Sequence, residues 1–225
     1  MRHIKEYKLF ESSSQLTPDQ IKWLDSCASG RWTLNPTTGL VDVVVDFDCD
    51  GQNLTDFKGV KFGVIEVGFD CSYNNLTSLE GAPQHVGGYF FCYNNNLTSL
   101  KGAPQDVGGS FECSNNNLTS LEGAPQHVGK RFDCSNNNLT SLEGAPQDVG
   151  GRLYSYDNPV SELVLNKIFG LMRRMSYQKA VEKLWNEIPV DDQALLFRSD
   201  FDWIDPTERR KLEALASVNK IKGMI

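Results

Sequence analysis

Between Phe69 and Gly151 the apolar positions recur at long range as well as alternating locally. Four consecutive segments, FDCSYNNLTSLEGAPQHVGGY, FFCYNNNLTSLKGAPQDVGGS, FECSNNNLTSLEGAPQHVGKR and FDCSNNNLTSLEGAPQDVGGR, set Cys71, Cys92, Cys113 and Cys134 21 residues apart. In each, Phe and Cys flank one variable residue, the period of a strand with one buried face. A fixed period in the 20s implies stacked turns that bury their faces against each other. The same alternation extends N-terminally, where Val41, Val43, Val45, Phe47 and Cys49 alternate with Asp42, Val44, Asp46, Asp48 and Asp50. That stretch reads as one strand entering the array, with Gln52 where later turns have Asn. Leu153, Ser155, Asn158 and Val160 make a degenerate last turn.

Phe111, Cys113, Asn116 and Leu118 fall on the last four marked places of the template L-x-x-L-x-L-x-x-N-x-L. The fold expected is therefore an α/β repeat: a leucine-rich-repeat solenoid with a parallel β-sheet on its concave face and helical N- and C-terminal caps. About six turns at the ~4.8 Å strand spacing give a sheet roughly 25 to 30 Å long. Residues 1–40 read as an N-terminal helical cap and hairpin, 41–160 as the solenoid, and 161–225 as a helical cap or small domain. Thr17-Pro18-Asp19-Gln20 is a capping box, Leu16 and Ile21 are placed as a hydrophobic staple, and the helix that follows to about Ala28 should bury Ile21, Leu24 and Cys27. Arg31 to Asn35, a Pro36-to-Gly39 turn and Leu40 onward read as a hairpin. Beyond Pro159, Ser161 and Ser176 are placed to cap two helices, the second ending at Pro189. Asp191 begins a third piece, and Asp205-Pro206-Thr207-Glu208 opens a last helix.

Alternation also points side chains out of the sheet on its concave face, in three columns. One holds Gly68, Tyr89, Ser110, Arg131 and Arg152; the next Asp48, Asp70, Phe91, Glu112, Asp133 and Tyr154; the third Asp50, Ser72, Tyr93, Ser114, Ser135 and Tyr156. Here the copies differ most, as a reading surface would. Exposed aromatics and arginines are the residue types that anchor protein interfaces. The candidate partner-binding residues are Tyr89, Phe91, Tyr93, Glu112, Arg131, Asp133, Arg152, Tyr154 and Tyr156. The Asn column (Asn74, Asn95, Asn116, Asn137, Asn158) reads as structural, its amides bonding backbone groups in the turns. The Gly-Ala-Pro-Gln and Val-Gly-Gly segments read as bends on the far side, Gly supplying positive φ and Pro a corner.

The net charge of -7 argues against a nucleic-acid partner, and its distribution narrows the point. Residues 45–159 hold 14 acidic against 6 basic residues, so the acidity belongs to the solenoid. No run reaches membrane-spanning length and the first residues lack the apolar core of a signal peptide, so a soluble cytosolic protein is expected, with no membrane partner. Five of the six cysteines share one repeat position and read as buried free thiols, and the N-L-T triplets as repeat chemistry rather than glycan acceptors. Asp46 to Gly51 matches the first half of a calcium loop, but its twelfth place is Phe57, so no metal or other cofactor is expected. His85 and His127, placed in convex loops, have no nucleophile at a usable spacing. No enzyme is expected.

The repeat F-x-C-S-x-N-x-L-T-S-L-x-G-A-P-x-x-V-G-G, over residues 45 to 160, resembles the 21-residue leucine-rich repeats of phage-encoded proteins from tailed phages and their bacterial relatives. More distantly, N-x-L-T-S-L before a proline bend is similar to repeats of type III secreted effectors. The resemblance implies a curved solenoid that binds other proteins. The function expected is a non-enzymatic binding module in the cytoplasm of an infected bacterium that engages a host protein, more than a phage one, through the concave face, to block a defence or redirect a host enzyme; the alternative is a virion component or assembly factor that self-associates or binds a capsid protein. Some of those effectors carry a ubiquitin-ligase cysteine C-terminal to the repeats. Here the last cysteine is Cys134, inside them.

Overall fold

The computed structural model describes residues 16–160 and 162–189, together with residues 192–193, 204, 207 and 210–212. Helix α1 (Pro18–Ala28) begins at the expected capping box, with the Thr17 hydroxyl accepting from the Gln20 N–H and the Gln20 side chain accepting from the Thr17 N–H. It ends where Ser29 turns left-handed. Trp23, Leu24, Cys27 and Ala28 are buried, while Ile21, expected to be buried with them, is exposed. The hairpin follows as β1 (Trp32–Leu34) antiparallel to β2 (Val41–Val43).

From β2 onward the chain winds through two sheets. After β3 (Phe47–Asp48) come β4 (Phe62–Ile65) and β5 (Phe69–Asp70), then β6 (His85–Val86) and β7 (Phe90–Phe91). The pattern continues with β8 (Asp106–Val107), β9 (Phe111–Glu112), β10 (His127–Val128), β11 (Phe132–Asp133), β12 (Asp148–Val149) and β13 (Leu153–Tyr154). One sheet runs β1-β2-β4-β6-β8-β10-β12 and the other β13-β11-β9-β7-β5-β3. All pairings after the hairpin are parallel and join each turn to the next. The molecule is thus a parallel-strand β-solenoid of about five turns, with few helices.

Two expectations change. The run from Val41 to Cys49 is not one strand: it breaks at Val44–Asp46, and its halves belong to different sheets. The Val-Gly-Gly segments are not only bends, because each begins with a strand of the second sheet. Their first glycines also serve close approach rather than positive φ: a Cβ on Gly108 would collide with the Gly87 carbonyl, and one on Gly129 with that of Gly108. Positive φ belongs instead to the Gly-Ala-Pro glycines, such as Gly102 at 94°.

The interior is a set of columns. Phe47, Phe69, Phe90, Phe111 and Phe132 stack ring on ring at 5.2 to 5.5 Å. Trp23 closes the N-terminal end of that stack edge-on, 5.4 Å from Phe47. Each Asn of the Asn column joins two turns. Asn116 Oδ1 accepts from the Leu97 N–H at 2.9 Å, and its Nδ2 donates to the carbonyls of Cys92, Cys113 and Ser114. Gln52 departs from the column because no turn precedes it; its Oε1 accepts from the Trp23 indole at 2.9 Å instead. All six cysteines are free and buried.

After the last turn, α2 (Glu162–Met172) and α3 (Tyr177–Leu184) pack on each other, followed by a 3-10 turn at Trp185–Glu187. Val164, Leu165 and Ile168 of α2 and Ala180 and Val181 of α3 are buried. Ser176 caps α3 as expected, accepting from the Lys179 N–H. The expected third piece from Asp191 and the helix from Asp205 lie largely outside the described residues.

Candidate functional site

The six-stranded sheet carries the three predicted columns on its outer face, and the structure sorts them into two groups. The first centres on the second and third turns. Tyr89 and Phe91 stack with centroids 4.5 Å apart, Phe91 meets Tyr93 at 6.0 Å, and Tyr93 meets Tyr73 edge-on at 5.2 Å. Four aromatics therefore form one continuous strip. Tyr73 was absent from the sequence-based set, because it sits two residues beyond the strand's Cys, where alternation no longer assigns a face. Its signal lay elsewhere: the equivalent places are Gly51, Asn94, Asn115, Asn136 and Asp157, all residues suited to the left-handed backbone they adopt. Tyr73 adopts it too, at φ 53°, with more than half of its surface exposed.

Tyr89 is held more firmly than a free surface ring. It lies across Gly68, where any Cβ would strike the ring, and hydrogen-bonds the Asp46 carboxylate. Burial first, and then that acceptor, push its phenol up to about 12. Gly68 is thus the slot that lets one turn's tyrosine reach back two turns. The Tyr93 phenol is also raised, by burial and then by Asp70.

The second group occupies the last turns. Arg131 pairs with Glu112 and lies over the Tyr154 ring, 5.9 Å from its centroid. Tyr154 in turn meets Tyr156 at 5.4 Å. Arg152 is exposed nearby, in a 670 Å³ cleft between the last turn and α2. Arg173 and Arg174 line the same cleft with Phe169. Sequence reasoning missed Phe169 of α2 and the two arginines of the turn after it, since nothing in a helical pattern says which part of it meets the solenoid's end.

Some predicted face positions do other work. Asp133 accepts from the Ser135 N–H at 3.0 Å, as Asp70 does from Ser72 and Asp48 from Asp50, so these carboxylates tighten their own turns. Ser72 and Ser135 are buried rather than presented. Asp70 is raised by burial, against hydrogen bonds from Ser72, and Asp50 by burial and by Asp48. The N-terminal end of the face is therefore acidic and the C-terminal end basic. Between them lie the aromatics.

The histidines are in strands, not loops. His85, Asp106, His127 and Asp148 are in register across the seven-stranded sheet, with His85 Nδ1 3.3 Å from Asp106 Oδ2. Among the described residues no cluster of three His, Cys, Asp or Glu could hold a metal, and no helix is long and apolar enough to cross a membrane. Comparison with protein-family models, curated proteins and solved structures finds no match to this chain.

Proposed function

We propose that the chain is a non-enzymatic protein-binding module whose turns are leucine-rich repeats, closed by α1 at one end and by the C-terminal helices at the other. It engages a protein partner through the aromatic strip on the six-stranded sheet. The observation that carries this reading is Tyr73. One turn places a large ring in a left-handed backbone that its neighbours reserve for Asn, Gly or Asp, a conformation costing on the order of 1 kcal/mol for such a residue. That ring completes a strip of four. Strain retained to extend an exposed aromatic surface is the mark of a contact surface rather than of packing.

The resemblance of the repeats to phage-encoded ones supports a host bacterial protein as the partner and the host cytoplasm as the place of action. Blocking a defence or redirecting a host enzyme fits such a binder. The test is affinity capture from bacterial lysate with wild type beside Phe91→Ala/Tyr93→Ala. A protein retained by wild type alone, with both baits melting alike, is the expected result. Equal retention by both baits overturns the strip as the site, and retention of the bait alone turns the reading to self-assembly.

A further inference from the structure

The C-terminal helices cover only part of the last turn, and a cleft remains between its strand edge and the end of α2. Along the six-stranded sheet each turn's first strand N–H donates to the following turn: Phe69 to the Tyr89 carbonyl, Phe90 to Ser110, Phe111 to Arg131 and Phe132 to Arg152, at 2.8 to 3.0 Å. Leu153 holds that place in the last turn. Successive groups along a strand point to opposite sides, so the Leu153 N–H points away from the array. Among the described residues nothing accepts from it.

The neighbouring corner repeats the pattern with the roles reversed. Gly109 donates to the Gly88 carbonyl, Lys130 to Gly109 and Gly151 to Lys130, which leaves the Gly151 carbonyl without a donor among the described residues. One open group has been met from within the chain: the Val149 carbonyl, two residues earlier, accepts from Arg173 Nη2 at 3.1 Å. Arg173 thereby stands in for a following turn. Gly151 and Leu153 have no such substitute, and both line the 670 Å³ cleft.

A carbonyl and an N–H two residues apart on one strand edge are the pair that an added strand bonds. Beside them lie the exposed guanidinium groups of Arg152 and Arg174, neither paired with a carboxylate among the described residues. We propose that this edge cleft receives an extended, acidic segment of a partner protein, added as the next strand, its backbone bonding Gly151 and Leu153 and its carboxylates meeting Arg152 and Arg174. The open carbonyl and N–H select a peptide over nucleic acid, because only an extended polypeptide offers a matching backbone N–H and carbonyl at that spacing, while the two arginines select acidic side chains. The site is separate from the aromatic strip and stands on its own observations.

The probe is a fluorescent, end-blocked Val-Glu-Val-Glu-Val peptide, whose extended form puts both carboxylates on one side. Anisotropy should report binding to the full chain, and Arg152→Ala/Arg174→Ala should weaken it about tenfold or more while leaving the melting temperature in place. Methylating alternate peptide nitrogens should weaken it comparably, and the Leu153 amide resonance should shift on titration with the unmodified peptide. Phe91→Ala/Tyr93→Ala should bind the peptide as wild type does, which separates this site from the strip. Absence of binding, equal binding by the arginine variant, indifference to N-methylation, or displacement of the peptide by single-stranded DNA at equal charge overturns the proposal.

Discussion

At the scale of the residue, the Asn column and Tyr73 show what repetition fixes and what it leaves free. Asn116 satisfies a buried N–H of the preceding turn and three carbonyls at once. Asn116→Ala strands the Leu97 N–H and should cost about 3 kcal/mol in a denaturant titration. Asn116→Asp should do no better, since a carboxylate keeps the acceptor but turns negative oxygen toward the Cys92 carbonyl. Tyr73 predicts the opposite sign. Tyr73→Asn restores the residue that Asn94, Asn115 and Asn136 show to suit this backbone, and should stabilise by about 1 kcal/mol while weakening capture of the partner. A substitution that raises the midpoint and lowers binding separates contact surface from core; a fall in both would assign Tyr73 to the fold.

At the scale of the element, long-range periodicity was legible and short strands were not. The 21-residue period, the buried Phe and Cys columns, the Asn ladder and both described helix caps all follow from residue identity and spacing. The second sheet does not, because its repeating strands, such as His85–Val86, hold two residues and leave no period to read. The corner at Val44–Asp46 was hidden for a related reason: Val43 and Phe47 are both buried, so burial keeps its parity through a bend. In the same way alternation found Tyr89, Phe91 and Tyr93 but not Tyr73 or the arginines that follow α2. Helix α3 offers a test of how the C-terminal elements dock. Burial pushes the Tyr177 phenol up to about 12, from 10.0. The folded state thus holds that proton more tightly than the unfolded chain does, so its contribution is complete below pH 10 and is lost as pH rises through about 12. Tyr177→Phe should remove about 1 kcal/mol of that alkaline loss between pH 9 and pH 11, leaving the shares of Tyr89, Tyr93 and the raised thiols, as measured by denaturant midpoints at pH 9, 10 and 11. An unchanged pH profile would mean that the phenol ionises without undocking the helix.

At the scale of the molecule, stability in a stacked array is a sum over neighbours, and its two ends are unlike its middle. Each interior turn is joined on both sides by strand pairs, an Asn bridge and a stacked Phe, whereas the first leans on α1 and the last on α2. The cysteines report on this directly, because five of them mark successive turns and Cys27 marks the α1 contact. Burial raises all six thiols above their ordinary range, so none should react with a thiol reagent at pH 8 in the native protein. Below the unfolding midpoint the ends should open first. Mass spectrometry should then find Cys27, Cys49 and Cys134 labelled ahead of Cys92 and Cys113. Asn116→Ala breaks the chain of bridges at the middle, and should bring Cys92 and Cys113 forward to label with the ends. Simultaneous labelling of all six in both proteins would show instead that the turns unfold as one unit, with neighbour coupling strong enough to hold the ends as tightly as the centre.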